Sequence, residues 1–348
     1  MRDMNERKKV QTGFSLIEVM ITLAILLTVS AIVMSLSFSM TVNQASVANR
    51  SDMHASVRSV TSLLQQEITQ AGRISFPLPL GSTAVGGAGV TTPVLPCPEY
   101  GLGVASPLTV ADPAYLFDGI RLLVGAGHCQ EIVAYNAGNG VFKWDHPAGD
   151  PVRPAGTFGE GILAVSDGDN LHMFGDINDD GQMVYIRYTC TQGTLAAPGT
   201  LTRTRAAWNA VALDPPQILL RNVLCNNYDP DTQTCGVPVD AIPCFTYQLY
   251  DPDPAVAGTE PTPITVDGVT TNFFFTLNVG VTLTAKAEFN DMQTNAPQVE
   301  TKALLNVSPR NIFEAWQFSQ ADPSASGTRK YIQPTPTEIT TLSALPLP

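Results

Sequence analysis

Apolar positions follow two different rules along the first seventy residues. From Phe14 to Met34 they are nearly continuous, 16 of 21 residues in FSLIEVMITLAILLTVSAIVM. Such a run meets the roughly 20 residues a helix needs to cross a hydrocarbon core of ~30 Å. Past Arg50 the run narrows to a stripe: Met53, Val57, Val60, Leu64, Ile68 and Ala71 recur at spacings of three and four, the signature of one buried helix face. No Gly or Pro occurs between Phe14 and Ala71, and Gly72 then supplies a C-terminal stop. The pattern predicts a helix over 14–72, about 87 Å long at 1.5 Å per residue. Its first half is hydrophobic all round and its second half has one face to bury, as in a stalk with a domain wrapped on its outer end.

Beyond Gly72 the period changes. Residues 73–113 are rich in Pro and Gly and weakly periodic, which reads as a long, irregular surface connection. Short runs rich in Val, Ile, Thr and aromatics follow at 117–124, 129–135, 162–166, 170–174, 182–190, 217–224, 244–250, 272–287 and 298–308, the composition and length of strands. One long helix followed by strand after strand predicts an α+β fold, with an antiparallel sheet covering the helix stripe. The residues from Asp322 (DPSASGTRKYIQPTPTEITTLSALPLP) read as a flexible or extended tail. The expected organisation is a leader over 1–13, the helix over 14–72, a β-rich domain over 73–321 and a tail over 322–348.

Charge adds an orientation. The leader MRDMNERKKVQTG holds Arg2, Arg7, Lys8 and Lys9, whereas from Val10 to Asn49 the only charged side chain is Glu18. Basic residues before a span and few after it place the N-terminus in the cytoplasm and the bulk of the protein outside. A cleaved secretory signal would have a shorter apolar region, and a plain anchor does not explain a carboxylate so near the start of a span. The whole chain, with 19 Lys and Arg against 31 Asp and Glu, carries a net charge of −12. That balance excludes the basic face of a nucleic-acid binder. No catalytic signature accompanies the four histidines, so the expectation is a protein that is not an enzyme.

Gly13-Phe14-Ser15-Leu16-Ile17-Glu18-Val19, behind a basic leader and ahead of an apolar run, resembles the cleavage and methylation motif of type IV prepilins and type II secretion pseudopilins. The resemblance implies that prepilin peptidase cuts between Gly13 and Phe14 and methylates the new amine of Phe14. It also implies an assembly role for Glu18, whose carboxylate, expensive when unpaired in an apolar filament core, is answered by the Phe14 amine of a neighbouring subunit. Ser35 stands near the point where many pilins carry Pro. LLQQEITQAGR at 63–73, with ILLRNVL (218–224), FTYQLYD (245–251) and LLNVSPRNI (304–312), is similar in order to large minor pilins and pseudopilins of the PilW/PulJ type. The implied function is that of a minor type IV pilin, acting in pilus assembly or initiation near the tip. The alternatives are a pseudopilin of a type II secretion system and a pilin-anchored adhesin or binding module. The implied partners are prepilin peptidase, other pilins or pseudopilins and the bacterial inner membrane; the implied location is that membrane, with the domain periplasmic and surface-exposed after assembly.

Candidate chemistry in the outer domain is sparse. Cys97, Cys129, Cys190, Cys225, Cys235 and Cys244 all follow the helix, and an even count in an exported domain points to disulfides. The expected pairs are Cys97–Cys129, Cys225–Cys235 and Cys190–Cys244; the absence of a C-x-x-C pair argues against zinc. Asp176, Asn178 and Asp180, ahead of Gly181, match the first half of a calcium loop. The twelfth position is Arg187, so Asp167 or Asp169 would have to assist, and the same residues fit a polar hairpin turn. His54, His128, His146 and His172 read as ordinary surface or turn residues. Trp144, Trp208, Phe273–Phe275 and Trp316 read as core.

Overall fold

The computed structural model describes residues 15–77, 80–81, 105–110, 112–127, 129–236, 241–250, 261–266, 269–291, 294–320 and 329–347. The chain divides into two compact units, Met1–Asp52 with Ala287–Gln298, and Met53–Lys286 with Val299–Pro348. The uninterrupted helix-forming sequence becomes one helix, α1 (Leu16–Gln70), which contributes residues to both. It ends where expected: Gly72 takes a positive φ of 81°, a conformation that costs a residue without Cβ little.

In the second unit a six-stranded antiparallel sheet is built from β1 (Leu80–Gly81), β2 (Ala105–Pro107), β3 (Arg121–Val124), β4 (Glu131–Asn136), β5 (Asn139–Val141) and β6 (Pro151–Pro154), in the order β1-β6-β3-β4-β5-β2. The short β7 (Thr157–Phe158) follows. A seven-stranded antiparallel sheet contains β8 (Asn170–Gly175), β9 (Val184–Thr191), β10 (Gly199–Ala207) and β11 (Gln217–Leu224). After the small pair β12 (Tyr228–Asp229) and β13 (Thr234–Cys235), the strand β14 (Phe245–Leu249) returns to that sheet. The hairpin of β15 (Thr262–Val266) and β16 (Val269–Phe273) stands apart from it, and β17 (Thr276–Lys286) and β18 (Val299–Val307) complete it. Strand β17 pairs with β11, β14 and β18. Helix α2 (Arg310–Ser319) comes next.

The larger core lies between α1 and the seven-stranded sheet. Val57, Val60, Leu64 and Ile68 of the stripe join Leu171, Met173, Ile186, Tyr188, Val279, Val281 and Leu283 in one apolar cluster. A second cluster fills the six-stranded sheet with Ile120, Leu122, Val124, Val133 and Val152, and with the aromatic group Phe117, Phe158, Phe174 and Trp208. The two cores meet where the chain leaves α1. The Gly72 N–H donates to the Phe174 carbonyl at 2.9 Å, and the Phe158 N–H donates to the Gly72 carbonyl at 2.8 Å. A Cβ on Gly161 would sit 2.2 Å from the Gly72 Cα, so this crossing requires glycine on both segments.

The fold is α+β, as the pattern predicts. Strands β1 and β2 nevertheless lie within the stretch 73–113 expected to be irregular, and β5, β6, β15 and α2 lie outside the expected runs. Three further differences stand out. Residues 199–207 (GTLTRTRAA) form the central strand β10, although their polar alternation gives no apolar run. Residues 162–166 form no strand; Ile162 makes only an isolated bridge to Met173. The stretch 322–348, expected to be a flexible tail, is ordered over its described part: β19 (Ile332–Gln333) pairs in parallel with β7, and a helix spans Thr337–Ser343. Ile332, Gln333, Ile339 and Leu342 are buried there. Their apolar side chains are spaced too widely among Pro and Thr to show a period. Gln333 also holds the segment by donating its amide to the Arg121 carbonyl at 2.7 Å while its Oε1 accepts from the Arg121 N–H at 2.8 Å.

Candidate functional site

The N-terminal segment carries the residues the sequence singles out. Gly13 and Phe14 lie outside the described residues. Ser15 immediately precedes α1, and its carbonyl accepts from the Glu18 and Val19 N–H groups at 3.0 and 3.2 Å. Glu18 is exposed in the first turn, where the helix dipole favours a carboxylate. From Leu16 to Met40 the large apolar side chains stand exposed, none of them buried by the chain itself. By length and composition this part of α1 can cross a membrane. Its hydroxyls fit that setting: Thr22 donates to the Glu18 carbonyl at 2.9 Å and Thr41 to the Ser37 carbonyl at 2.9 Å. These threonine hydrogens are satisfied within the helix, as hydrocarbon surroundings demand.

The second half of α1 is fastened to the large sheet by a buried charge cluster. Arg203 of β10 donates from Nη2 to Glu67 Oε1 at 2.7 Å and from Nε to Oε2 at 3.2 Å. The Tyr188 hydroxyl of β9 donates to the same Oε2 at 2.6 Å. Burial works against the Arg203 charge, but the hydrogen bonds and charge of Glu67 outweigh it and raise its pKa. Burial, then the Glu67 charge, pushes the Tyr188 hydroxyl up, which keeps it a donor. Sequence reasoning misses this cluster. Glu67 reads as one more polar residue in QQEITQ, and its only signal is its position one residue before Ile68 of the stripe.

Asp176, Asn178 and Asp180 form a turn between β8 and β9. The buried Asp176 carboxylate accepts from the Asp180 N–H at 3.0 Å, the Gly181 N–H at 3.2 Å and the Ser75 hydroxyl. Asp180 accepts from the Gln182 N–H at 2.9 Å, and Asp179, at φ 59°, pairs with Arg73. Asp167 is spent on its own turn, accepting from the Asp169 and Asn170 N–H groups at 2.9 and 2.7 Å. In this structure the loop has the geometry of a hairpin turn between β8 and β9. Among the described residues no three His, Cys, Asp or Glu side chains gather as a metal site.

Cys190 pairs with Cys244 and Cys225 with Cys235, with Cα separations of 6.4 and 5.9 Å. The first joins β9 to the residue before β14, and the second closes the loop carrying β12 and β13. Cys129 is disulfide-bonded; its expected partner Cys97 lies outside the described residues.

Two of the histidines, His146 and His172, depart from the surface reading. His128 lies outside the described residues, and His54 pairs with Glu300. His172 is buried against the Tyr185 hydroxyl at 2.7 Å. Burial and the charge of Arg187 push its pKa down to about 4, so it is neutral near pH 7. His146 is buried between two carboxylates, Nε2 to Glu131 Oε1 and Nδ1 to Asp150 Oδ2, each at 3.0 Å. Glu131 also accepts from the Lys143 and Trp144 N–H groups at 2.8 and 2.9 Å. Burial lowers the His146 pKa, but the hydrogen bonds and charges of Glu131 and Asp150 prevail and raise it. A group whose folded pKa lies above its unfolded value stabilises the fold fully below the unfolded pKa, near 6.5, and loses that contribution as pH rises through the folded value. The domain is therefore expected to melt at a lower temperature at pH 9 than at pH 6, and His146→Gln to flatten this dependence. Thermal unfolding across that range, with the variant showing the same slope as the parent, would refute the assignment.

Comparison with protein-family models matches residues 8–34 to the prokaryotic N-terminal methylation motif. No curated protein and no solved structure matches the chain.

Proposed function

We propose that this chain, marked by its methylation motif as a type IV prepilin-like protein, is a minor pilin that takes part in pilus assembly or initiation near the tip. The motif implies a prepilin peptidase substrate that joins pilus or pseudopilus assemblies, and the apolar helix fits single-pass anchoring in the inner membrane. The observation that carries the proposal is the motif placed ahead of a helix whose apolar side chains find no cover within their own chain. Such a surface needs lipid before assembly and neighbouring helices after it. Two apolar cores and the disulfides make the outer domain large for a major subunit, which favours a low-copy role. The protein works by packing and pairing, without catalysis of its own.

Processing is expected between Gly13 and Phe14, so mass spectrometry of the mature protein should find an N-methylated Phe14 as its first residue. A mature chain beginning elsewhere would end the pilin reading. Deletion separates the two assemblies: loss of pili and twitching marks a pilin, and loss of exoprotein secretion with pili intact marks a pseudopilin.

A further inference from the structure

The six-stranded sheet gives one face to the second core and turns the other outward. Leu122, Val124 and Val133 belong to that core, so strand alternation sends their neighbours Arg121, Ile132 and Ala134 to the opposite side. Arg121 of β3 and Ala134 of β4 stand directly across from each other in the ladder. Over this outer face opens a cavity of about 470 Å³, within the size range of small-molecule sites. Its lining belongs wholly to the second unit.

The floor is apolar, made by Ile132 and Ala134 of β4 with Val141 of β5. Val266 and Thr271 of the β15–β16 hairpin line another side, and Lys330 and Pro334 of the C-terminal segment a third. Arg121 lines the cavity although only 8% of it is exposed. Its Nη1 donates to the Arg329 carbonyl at 2.9 Å and to the Ile332 carbonyl. These two acceptors orient the guanidinium and bring no charge of their own. The described lining thus holds two cationic side chains and no acidic one. In a chain of net charge −12 this is a local reversal of sign.

We propose that this cavity is a binding site for a small organic anion, a carboxylate borne on an apolar ring or chain. The carboxylate lies toward Arg121 and Lys330, and the apolar body covers Ile132, Ala134 and Val141. A guanidinium fork matches the planar carboxylate, and the lysine adds a point charge on a flexible stem. A bare inorganic anion would leave the apolar floor uncovered, and a cationic ligand would meet two like charges. The site uses neither α1 nor the methylation motif, so it stands apart from the pilin reading.

The test is equilibrium dialysis of 2-naphthoate and its uncharged analogue 2-naphthamide against the full chain in detergent, with the same detergent alone as the blank. The naphthoate should bind above the blank and at least tenfold more tightly than the amide. Lys330→Glu should weaken the naphthoate at least tenfold and leave the amide unchanged. Ala134→Phe, which fills the cavity, should abolish binding of both while melting like the parent; where it melts lower, Lys330→Glu alone decides. No naphthoate binding above the blank overturns the site. Equal binding of acid and amide, or parental binding by Lys330→Glu, overturns the anion assignment. Displacement of the naphthoate by an equal concentration of inorganic phosphate overturns the role of the apolar floor.

Discussion

Glu18→Val is expected to leave membrane insertion and leader removal intact and to reduce incorporation into the assembled fibre at least tenfold. Valine suits hydrocarbon better than a carboxylate, so insertion has no reason to fail. The loss comes later, when apolar helices pack and the freshly cut amine of one subunit needs an anionic partner on the next. A buried charge left without its counterpart is strongly unfavourable, and a tenfold loss corresponds to only about 1.4 kcal/mol per contact. A buried pair of this kind also selects one axial register, as a lone polar residue does in a coiled coil. Sheared fibres and membranes, probed separately by immunoblot, give the measurement. Parental incorporation of the variant would remove the register role.

Glu67→Ala is expected to destabilise the outer domain by about 3–5 kcal/mol, the range for breaking one side of a buried ion pair. The substitution strands the Arg203 guanidinium, whose side chain is only 14% exposed, and leaves the Tyr188 hydroxyl without its acceptor. The companion variant Glu67→Met with Arg203→Met should recover most of the loss, because replacing both charges by apolar groups of similar size is often neutral or stabilising. Denaturant unfolding of the full chain in detergent compares the three. A single variant within 1 kcal/mol of the parent would mean that the stripe alone holds α1 to the sheet.

These two carboxylates differ in how far the sequence reveals them. Glu18 is conspicuous because forty residues around it carry no other charge. Glu67 is hidden because a helix surface is expected to be polar, and nothing local says that Arg203, in sequence far away, will face it. The same blindness affects β10: Thr and Arg alternate there without an apolar signal, yet the strand lies between β9 and β11 and registers on both. His146 reads as a turn residue because its two carboxylates come from β4 and from the loop before β6. The C-terminal segment reads as a tail because its buried residues have no period of their own; Ile332 and Gln333 pair with β7, Gln333 bonds β3, and Ile339 and Leu342 join the second core.

Read alone, the residues determine what depends on neighbours in the chain: a helix from an unbroken apolar run and stripe, its stop at Gly72, the strands with Val, Ile and Thr, and the methylation motif with its solitary acid. Helical and strand periods are local, so they survive without a fold. Tertiary structure decided which polar residues became interior: Glu67 with Arg203 and Tyr188, His146 with Glu131 and Asp150, Asp176 with Ser75. A polar side chain can be buried only where partners converge on it from other elements, and that convergence is written in the packing rather than in any one stretch of chain.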